Sequence, residues 1–363
     1  MGIPAGLILQ KKGYKFSAIA AVLVGLVGVA LMFLSSTLDS GVFAVYLTGA
    51  FVAGFSMCML NTVVNPMLNT LGGEGKRGNQ LLQFGGTLNS MGATIVPVLV
   101  GYLMGDVAKA TISDANPALF LAIGIFVLAF IVLYSMSIPE PHIVAEKSTE
   151  KNTHSPLSFR HFVLGAIAIF VYVGVEVGIP NIANLYMTGD LQINATTAGT
   201  VVGTYWFLML VGRLTGGVLG SKFSSKSMLS FAAVLGLVFV LLAIFLPKDQ
   251  MVSMPVFQSD ISFGLAQVPV SIMLLVLCGL CTSVMWGGIF NLATEGLGKY
   301  TAAASGIFMV MVCGGGIIPA VQGYAADIFG YVQSYWVVVI GITYMLFYAL
   351  VGSKNVNKDI KVD

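Results

Sequence analysis

Gly92-Ala-Thr-Ile95-Val-Pro97-Val-Leu-Val-Gly101-Tyr102 and Gly314-Gly-Gly-Ile317-Ile-Pro319-Ala-Val-Gln-Gly323-Tyr324 are two passages of one chain, 222 residues apart. Laid over each other without a gap they share five identities in eleven positions, including a proline and two glycines. Shared hydrophobicity alone does not produce that match, so the chain is read as an internal repeat of two halves. Each copy sits in a continuous apolar run of the length a membrane helix needs, about 20 residues. Ten stretches meet that requirement: 16–35, 42–68, 81–104, 117–137, 160–187, 196–219, 228–247, 268–294, 301–325 and 332–352. The runs are continuous rather than alternating, which argues against membrane strands.

Composition agrees. Hydrophobic residues make up 57% of the 363 residues and charged residues 9%. A soluble chain carries about 25% charged residues, so this one could not cover two soluble domains with polar surface. Forty-three glycines suit close-packed membrane helices, where small residues let backbones approach. The net charge of +2 is too small for a nucleic-acid partner. Cys58, Cys278, Cys281 and Cys313 lie inside apolar runs and read as free thiols; no cofactor or metal site is expected. The apolar piece 1–9 is too short to span and lacks the basic start of a signal peptide.

Alternate loops differ sharply in charge. Fourteen of the seventeen Lys and Arg fall on one set of loops and the C-terminal tail, two (Lys109 and Lys248) on the other, and Arg213 inside a stretch. By the positive-inside rule the fourteen-residue side, with the C-terminus, is expected to be cytoplasmic. The polar segment 139–159, with His142 and His154, reads as a cytoplasmic linker rather than a metal site or pH switch. It divides an N-terminal bundle, 1–138, from a six-helix bundle, 160–352, and a tail, 353–363. The two repeat copies run in the same membrane direction, as in transporters built from parallel repeats. The second copy is the fifth helix of its bundle and the first copy only the third complete one. Symmetry therefore predicts two helices before residue 16, with 1–9 the end of the second, and a chain that lacks about one and a half helices.

Several motifs resemble the major facilitator superfamily. Gly6-Leu-Ile-Leu-Gln10-Lys11-Lys-Gly13-Tyr-Lys15 is similar to the signature of its gating loop between the second and third helices, with Gln10 in place of the usual acid. Gly212-Arg213 resembles the start of the corresponding region in the second half. Other passages resemble the fucose and glucose/galactose permease branch: Leu60-Asn61-Thr-Val-Val-Asn65-Pro66, Asn89-Ser90-Met-Gly92, Val171-Tyr172-Val-Gly174-Val-Glu176-Val-Gly178, and the run from Gly296 through Gln322-Gly323 to Asp327. The resemblance implies an all-α, twelve-helix fold of two six-helix bundles, of which ten complete helices and one partial helix are present here. It also implies a sugar symporter of the cytoplasmic (inner) membrane, driven by protons or sodium.

Transport by alternating access needs a polar site between the halves. Glu176 is the one acid well inside a stretch, and no Lys or Arg stands beside it at helical spacing. It is therefore the candidate coupling acid, able to give and take a proton. The branch's fourth-helix glutamate corresponds to Asn61, which cannot do so. For the sugar, ring hydroxyls call for amides and the C–H face for aromatic rings. The candidates are Asn61, Asn65, Gln83, Asn89, Glu176, Asn181, Asn184, Trp286, Asn291 and Gln322, with Tyr172 and Trp206 beside them. The branch's fifth-helix glutamine is Gly86 here, so that contact is lost or taken over by Gln83. Pro66, Pro97, Pro180, Pro319 and Gly314–Gly316 are candidate helix breaks. The leading reading is a monomeric, cation-coupled hexose transporter. The alternatives are an L-fucose or amino-sugar permease, an uncoupled facilitator, or an inactive truncated transporter. A membrane enzyme is disfavoured because acids and histidines do not cluster.

Overall fold

A computed structural model describes residues 2–38, 41–73, 75–104, 111–138, 140, 154–247, 250–258, 262–357, 359–360 and 362. The apolar stretches fold as helices because in lipid each backbone N–H and C=O must be satisfied within its own segment. The first half holds α1 (Gly2–Ser35), α2 (Val42–Leu71), α3 (Gly75–Met104) and α4 (Asn116–Ser135). The second holds α5 (Arg160–Gly189), α6 (Ala195–Leu219), α7 (Ser225–Phe245), α8 (Val270–Ser283), α9 (Met285–Thr294), α10 (Thr301–Met311), α11 (Gly314–Phe329), α12 (Tyr331–Ser334) and α13 (Trp336–Phe347). Among the described residues nine helical segments are long and apolar enough to cross a membrane. The repeat copies lie in α3 and α11.

Three features differ from the sequence reading. Residues 2–12 form a helix longer than the 1–9 piece, and a second helix, 14–35, begins ahead of the 16–35 stretch. Both are written together as α1, but Gly13 at the kink between them is non-helical, with a φ of 81° that favours glycine, so 2–12 stand as the end of a preceding helix. The helix that restarts there is capped from a distance: the Glu140 carboxylate accepts the backbone N–H groups of Tyr14 and Lys15 at 2.6 and 2.7 Å. Beside it, Lys15 Nζ donates to the carbonyls of Tyr134 and Met136.

Helix breaks fall elsewhere than at the prolines. Pro66, Pro180 and Pro319 lie inside continuous helices. The 270–294 span breaks at Val284, the 298–329 span at Val312–Cys313, just ahead of the Gly314–Gly316 run, and the last span at Tyr335. The side chain of Pro97 lies outside the description.

The third difference is a hairpin. β1 (Met251–Phe257) pairs antiparallel with β2 (Phe263–Pro269), Met251 opposite Pro269 and Phe257 opposite Phe263. It docks on α6, where Phe257 N–H donates to Thr204 Oγ1 at 2.8 Å and the Phe257 ring stacks on Phe207 at 4.6 Å. The linker reading falls largely on residues outside the description; of its histidines, His154 is exposed and His142 is not described. His161, at the start of α5, is buried.

The largest apolar core belongs to the second half, from Phe159 through Tyr172, Met209 and Phe290 to Tyr348. Smaller clusters tie α1 and α2 to each other and to α10 through Ala302. Lys76, Lys222, Lys226 and Lys354 gather at one end of the helices, here called the basic face: Lys76 Nζ donates to the Lys222 carbonyl, and Lys76, Lys226 and Lys354 line one cavity. At that face the halves press together through glycine: a Cβ on Gly306 would stand 2.6 Å from the Gly2 carbonyl oxygen and 3.0 Å from Gly6 Cα.

Candidate functional site

A cavity of about 580 Å³ lies between the halves, walled by α2 and α3 on one side and by α5, α6, α9 and α10 on the other. Asn61 and Asn65 reach it from α2, one helical turn apart, and Asn65 Nδ2 donates to the Asn61 carbonyl at 2.8 Å. Asn89 and Ser90 reach it from α3, and Trp206, Trp286 and Cys58 complete its polarisable wall. Leu68 and Leu82 are the lining residues nearest the basic face.

One ion pair crosses the cavity wall. Arg213 Nη2 donates to Glu176 Oε1 at 3.1 Å, with the two side chains 10% and 13% exposed. The same carboxylate oxygen accepts Tyr172 Oη at 2.7 Å. Arg213 Nη1 reaches into the other half, donating to Ser90 Oγ at 2.7 Å and to the Gly86 carbonyl at 3.2 Å. Tyr205 Oη donates to the Glu176 carbonyl at 3.0 Å and so fixes the backbone that presents the acid. The Tyr172 ring in turn lies 6.2 Å from that of Trp286, tilted by 58°.

This arrangement corrects two readings. Glu176 has a cationic partner after all, placed not along its own helix but on α6, where sequence spacing does not reveal it. Arg213 is not beside a loop: it lies inside α6, buried, and belongs to the cavity. A lone arginine and a lone acid in apolar spans each demand a partner, and that demand was the available signal for pairing them. Arg213 also fills the space beside Gly86, where an added Cβ would stand 3.4 Å from Arg213 Cδ.

The remaining candidates divide. Asn61, Asn65, Asn89, Glu176 and Trp286 line the cavity. Gln83 does not: it is buried, and its Nε2 donates at 3.0 Å to the Val284 carbonyl, which also accepts the Gly288 N–H at 3.1 Å. The side chain that stands beside Gly86 is thus Arg213 and not Gln83. Asn181 and Asn184 lie on α5 but away from the cavity, because five residues turn Asn181 about 140° from Glu176. Gln322 is fully buried, with its amide packed against Gly178 and neither amide atom hydrogen-bonded. Asn291 is buried below the cavity and donates to Asn69 Oδ1 at 3.0 Å; Asn69 donates onward to Thr294 Oγ1 at 3.3 Å. Asn69 and Asn291 are separated by 222 residues, the shift of the repeat, so equivalent residues of the two halves bond to each other.

Of the loop residues, Gly6 is buried against Ala302 and Gly306, Gly13 forms the kink, and Lys11 is exposed. Among the described residues no group of three His, Cys, Asp or Glu stands close enough to hold a metal ion. The four cysteines are free thiols.

Known proteins share this architecture. The chain is 28% identical over 366 residues to the glucose/galactose transporter of Brucella abortus biovar 1 (strain 9-941), covering 98% of this chain and 82% of that one. It is 24% identical over 361 residues to the L-fucose-proton symporter of Escherichia coli (strain K12), covering 90% and 76%. The fold matches the crystal structure of the E. coli transporter FucP in the outward conformation with a TM-score of 0.82 at 21% identity, over 98% of this chain and 86% of that one. The family model of the Major Facilitator Superfamily matches residues 1–180 and again 164–359, and the chain is accordingly a multi-pass membrane transporter of the Major Facilitator Superfamily, not an enzyme.

Proposed function

We propose that the protein carries a hexose of the glucose/galactose type across the cytoplasmic membrane by alternating access, as a monomer with its basic face and C-terminus in the cytoplasm. The observation that carries this reading is the cavity between the halves, which offers the amides of Asn61, Asn65 and Asn89 to ring hydroxyls and the Trp206 and Trp286 rings to the C–H face. The name of the Brucella relative supports the substrate class. The contacts between the halves at the basic face support an outward-facing arrangement, like that named for the FucP structure. The test is uptake of radiolabelled glucose, galactose and L-fucose into proteoliposomes of the purified protein. Saturable hexose uptake supports the reading, and uptake of none of the three overturns it.

For coupling, Glu176 is the proton acceptor in this proposal, driven by the proton gradient. Protonation would cancel its charge, release Arg213 and loosen the bridge that Arg213 makes to Ser90 and Gly86 of the other half. Glu176→Gln, which imitates the protonated acid, is expected to abolish uphill accumulation while sparing sugar exchange. Uphill accumulation with unchanged pH dependence in that variant would remove Glu176 from the role. Accumulation that survives a collapsed proton gradient and fails without sodium would assign coupling to sodium. A second reading, an uncoupled facilitator, is favoured by one observation: Arg213 already balances the Glu176 charge. It predicts downhill flux only, indifferent to either gradient.

A further inference from the structure

A second cavity, about 780 Å³, opens at the basic face between α5, α7, α9 and the segment after α13, and Lys76 reaches it from the other half. Its lining residues carry three cations, Lys76, Lys226 and Lys354, against one acid, Glu295. Lys76 Nζ donates to the Lys222 carbonyl and Lys226 Nζ to the Leu350 carbonyl, each at about 3 Å, so each ammonium keeps further donors. The N-terminus of α7 faces the same space. Ser224 caps it through the Ser227 N–H, and the N–H groups of Ser225 and Lys226 lie in the uncapped first turn at the positive end of the helix dipole.

A buried side chain points independently to a ligand. His161 lines the cavity, is fully buried, and has no partner for Nδ1. Its Nε2 lies 3.0 Å from the Glu295 carbonyl, which can only accept, so Nε2 carries the proton and Nδ1 of the neutral ring is an acceptor. An acceptor beside a cluster of cations calls for a ligand that is anionic at one end and carries hydroxyls at the other. A volume of this size is within the range of small-molecule sites, about 300–1,000 Å³.

We propose that this basic-face cavity binds a phosphorylated polyol, its phosphate held by Lys226, Lys354, Lys76 and the α7 N-terminus, and a hydroxyl donated to His161 Nδ1. The chemistry is common to a soluble sugar phosphate and to a glycerol-type phospholipid headgroup. Because Lys76 belongs to the first half and the other groups to the second, an occupant bridges the halves where they already meet. It binds this arrangement better than one in which the halves part at that face, and so holds the transporter in it.

The test is thermal unfolding of the whole protein in phosphatidylcholine nanodiscs. Glucose is present throughout, so that any occupation of the central cavity is common to all samples. In one arm glucose 6-phosphate is added; in the other, phosphatidylglycerol replaces part of the phosphatidylcholine. A saturable rise in Tm with glucose 6-phosphate, its half-saturation weakened at least tenfold in Lys226→Gln/Lys354→Gln, supports a soluble ligand. A rise with phosphatidylglycerol that the same double variant abolishes supports a headgroup. Lys76→Gln is the second variant, should the double variant fail to fold, and is expected to weaken either effect several-fold. No rise in either arm, or a rise that is undiminished in these variants, overturns the proposal.

Discussion

Arg213 and Glu176 show why a single ionisable residue in a membrane span cannot be interpreted alone. Each charge is expensive in an apolar surrounding, and removing one partner of a buried pair costs about 3–5 kcal/mol because the other is left uncompensated. Here Arg213 spreads its donors over a carboxylate, a hydroxyl and a carbonyl, so it joins the two halves as well as balancing Glu176. Asn89, by contrast, is exposed at the cavity wall. Asn89→Ala is therefore expected to raise the KM for sugar about tenfold with normal membrane levels, the effect of losing a site hydrogen bond worth about 1–2 kcal/mol. Unchanged saturation kinetics would remove Asn89 from the site. The sequence identified Asn61, Asn65, Asn89, Glu176 and Trp286 as polar or aromatic residues in apolar runs, and the fold brings these five to one cavity. It sends Gln83, Asn181, Asn184, Asn291 and Gln322 elsewhere, because residue type and helical spacing do not say what an adjacent helix offers.

Helices here meet through missing side chains. The contact of α1 with α10 depends on Gly2, Gly6 and Gly306 standing backbone to backbone, the means by which membrane helices gain packing without a hydrophobic drive between them. Gly306→Leu would push a side chain into the Gly2 carbonyl and part the two helices on the basic side. The expected outcome is a lower Tm together with faster labelling of Cys58, which lines the cavity, by a thiol reagent supplied from the basic face. Unaltered labelling would mean that this contact does not hold the face shut. The ends of the 14–35 helix of α1 and of α2 were legible to within a few residues because apolar runs end where polar turns begin. The breaks at Val284 and Val312–Cys313 were not, since apolar residues surround them and only the packing of neighbouring helices settles where an apolar helix bends. The hairpin of β1 and β2 was missed for a related reason: it is a short element held by Thr204 and Phe207 of α6, not by a long pattern of its own.

At the scale of the whole molecule, the two halves close on each other below the cavity through Asn69 and Asn291. Their separation equals the repeat shift, so this amide pair lies where the relation between the halves brings equivalent positions together. A contact of this kind must break for the halves to part at the basic face. Asn69→Cys/Asn291→Cys, in a background with the four native cysteines replaced, is expected to stop transport when joined by a short bifunctional thiol reagent and to regain it on reduction of a cleavable one. Transport that continues in the joined protein would show that the face need not open there. The sequence by itself determined that this is a bundle of apolar helices, that it repeats, and which residues are too polar to stand in it without a reason. These follow from local physics, because lipid demands long apolar helices and an internal repeat is written along the chain. Which polar residues share a cavity, which acid meets Arg213, and which asparagines bond across the halves were decided only by tertiary structure. Those relations join residues 37 to 222 positions apart, and they exist only once helices from distant parts of the chain have packed.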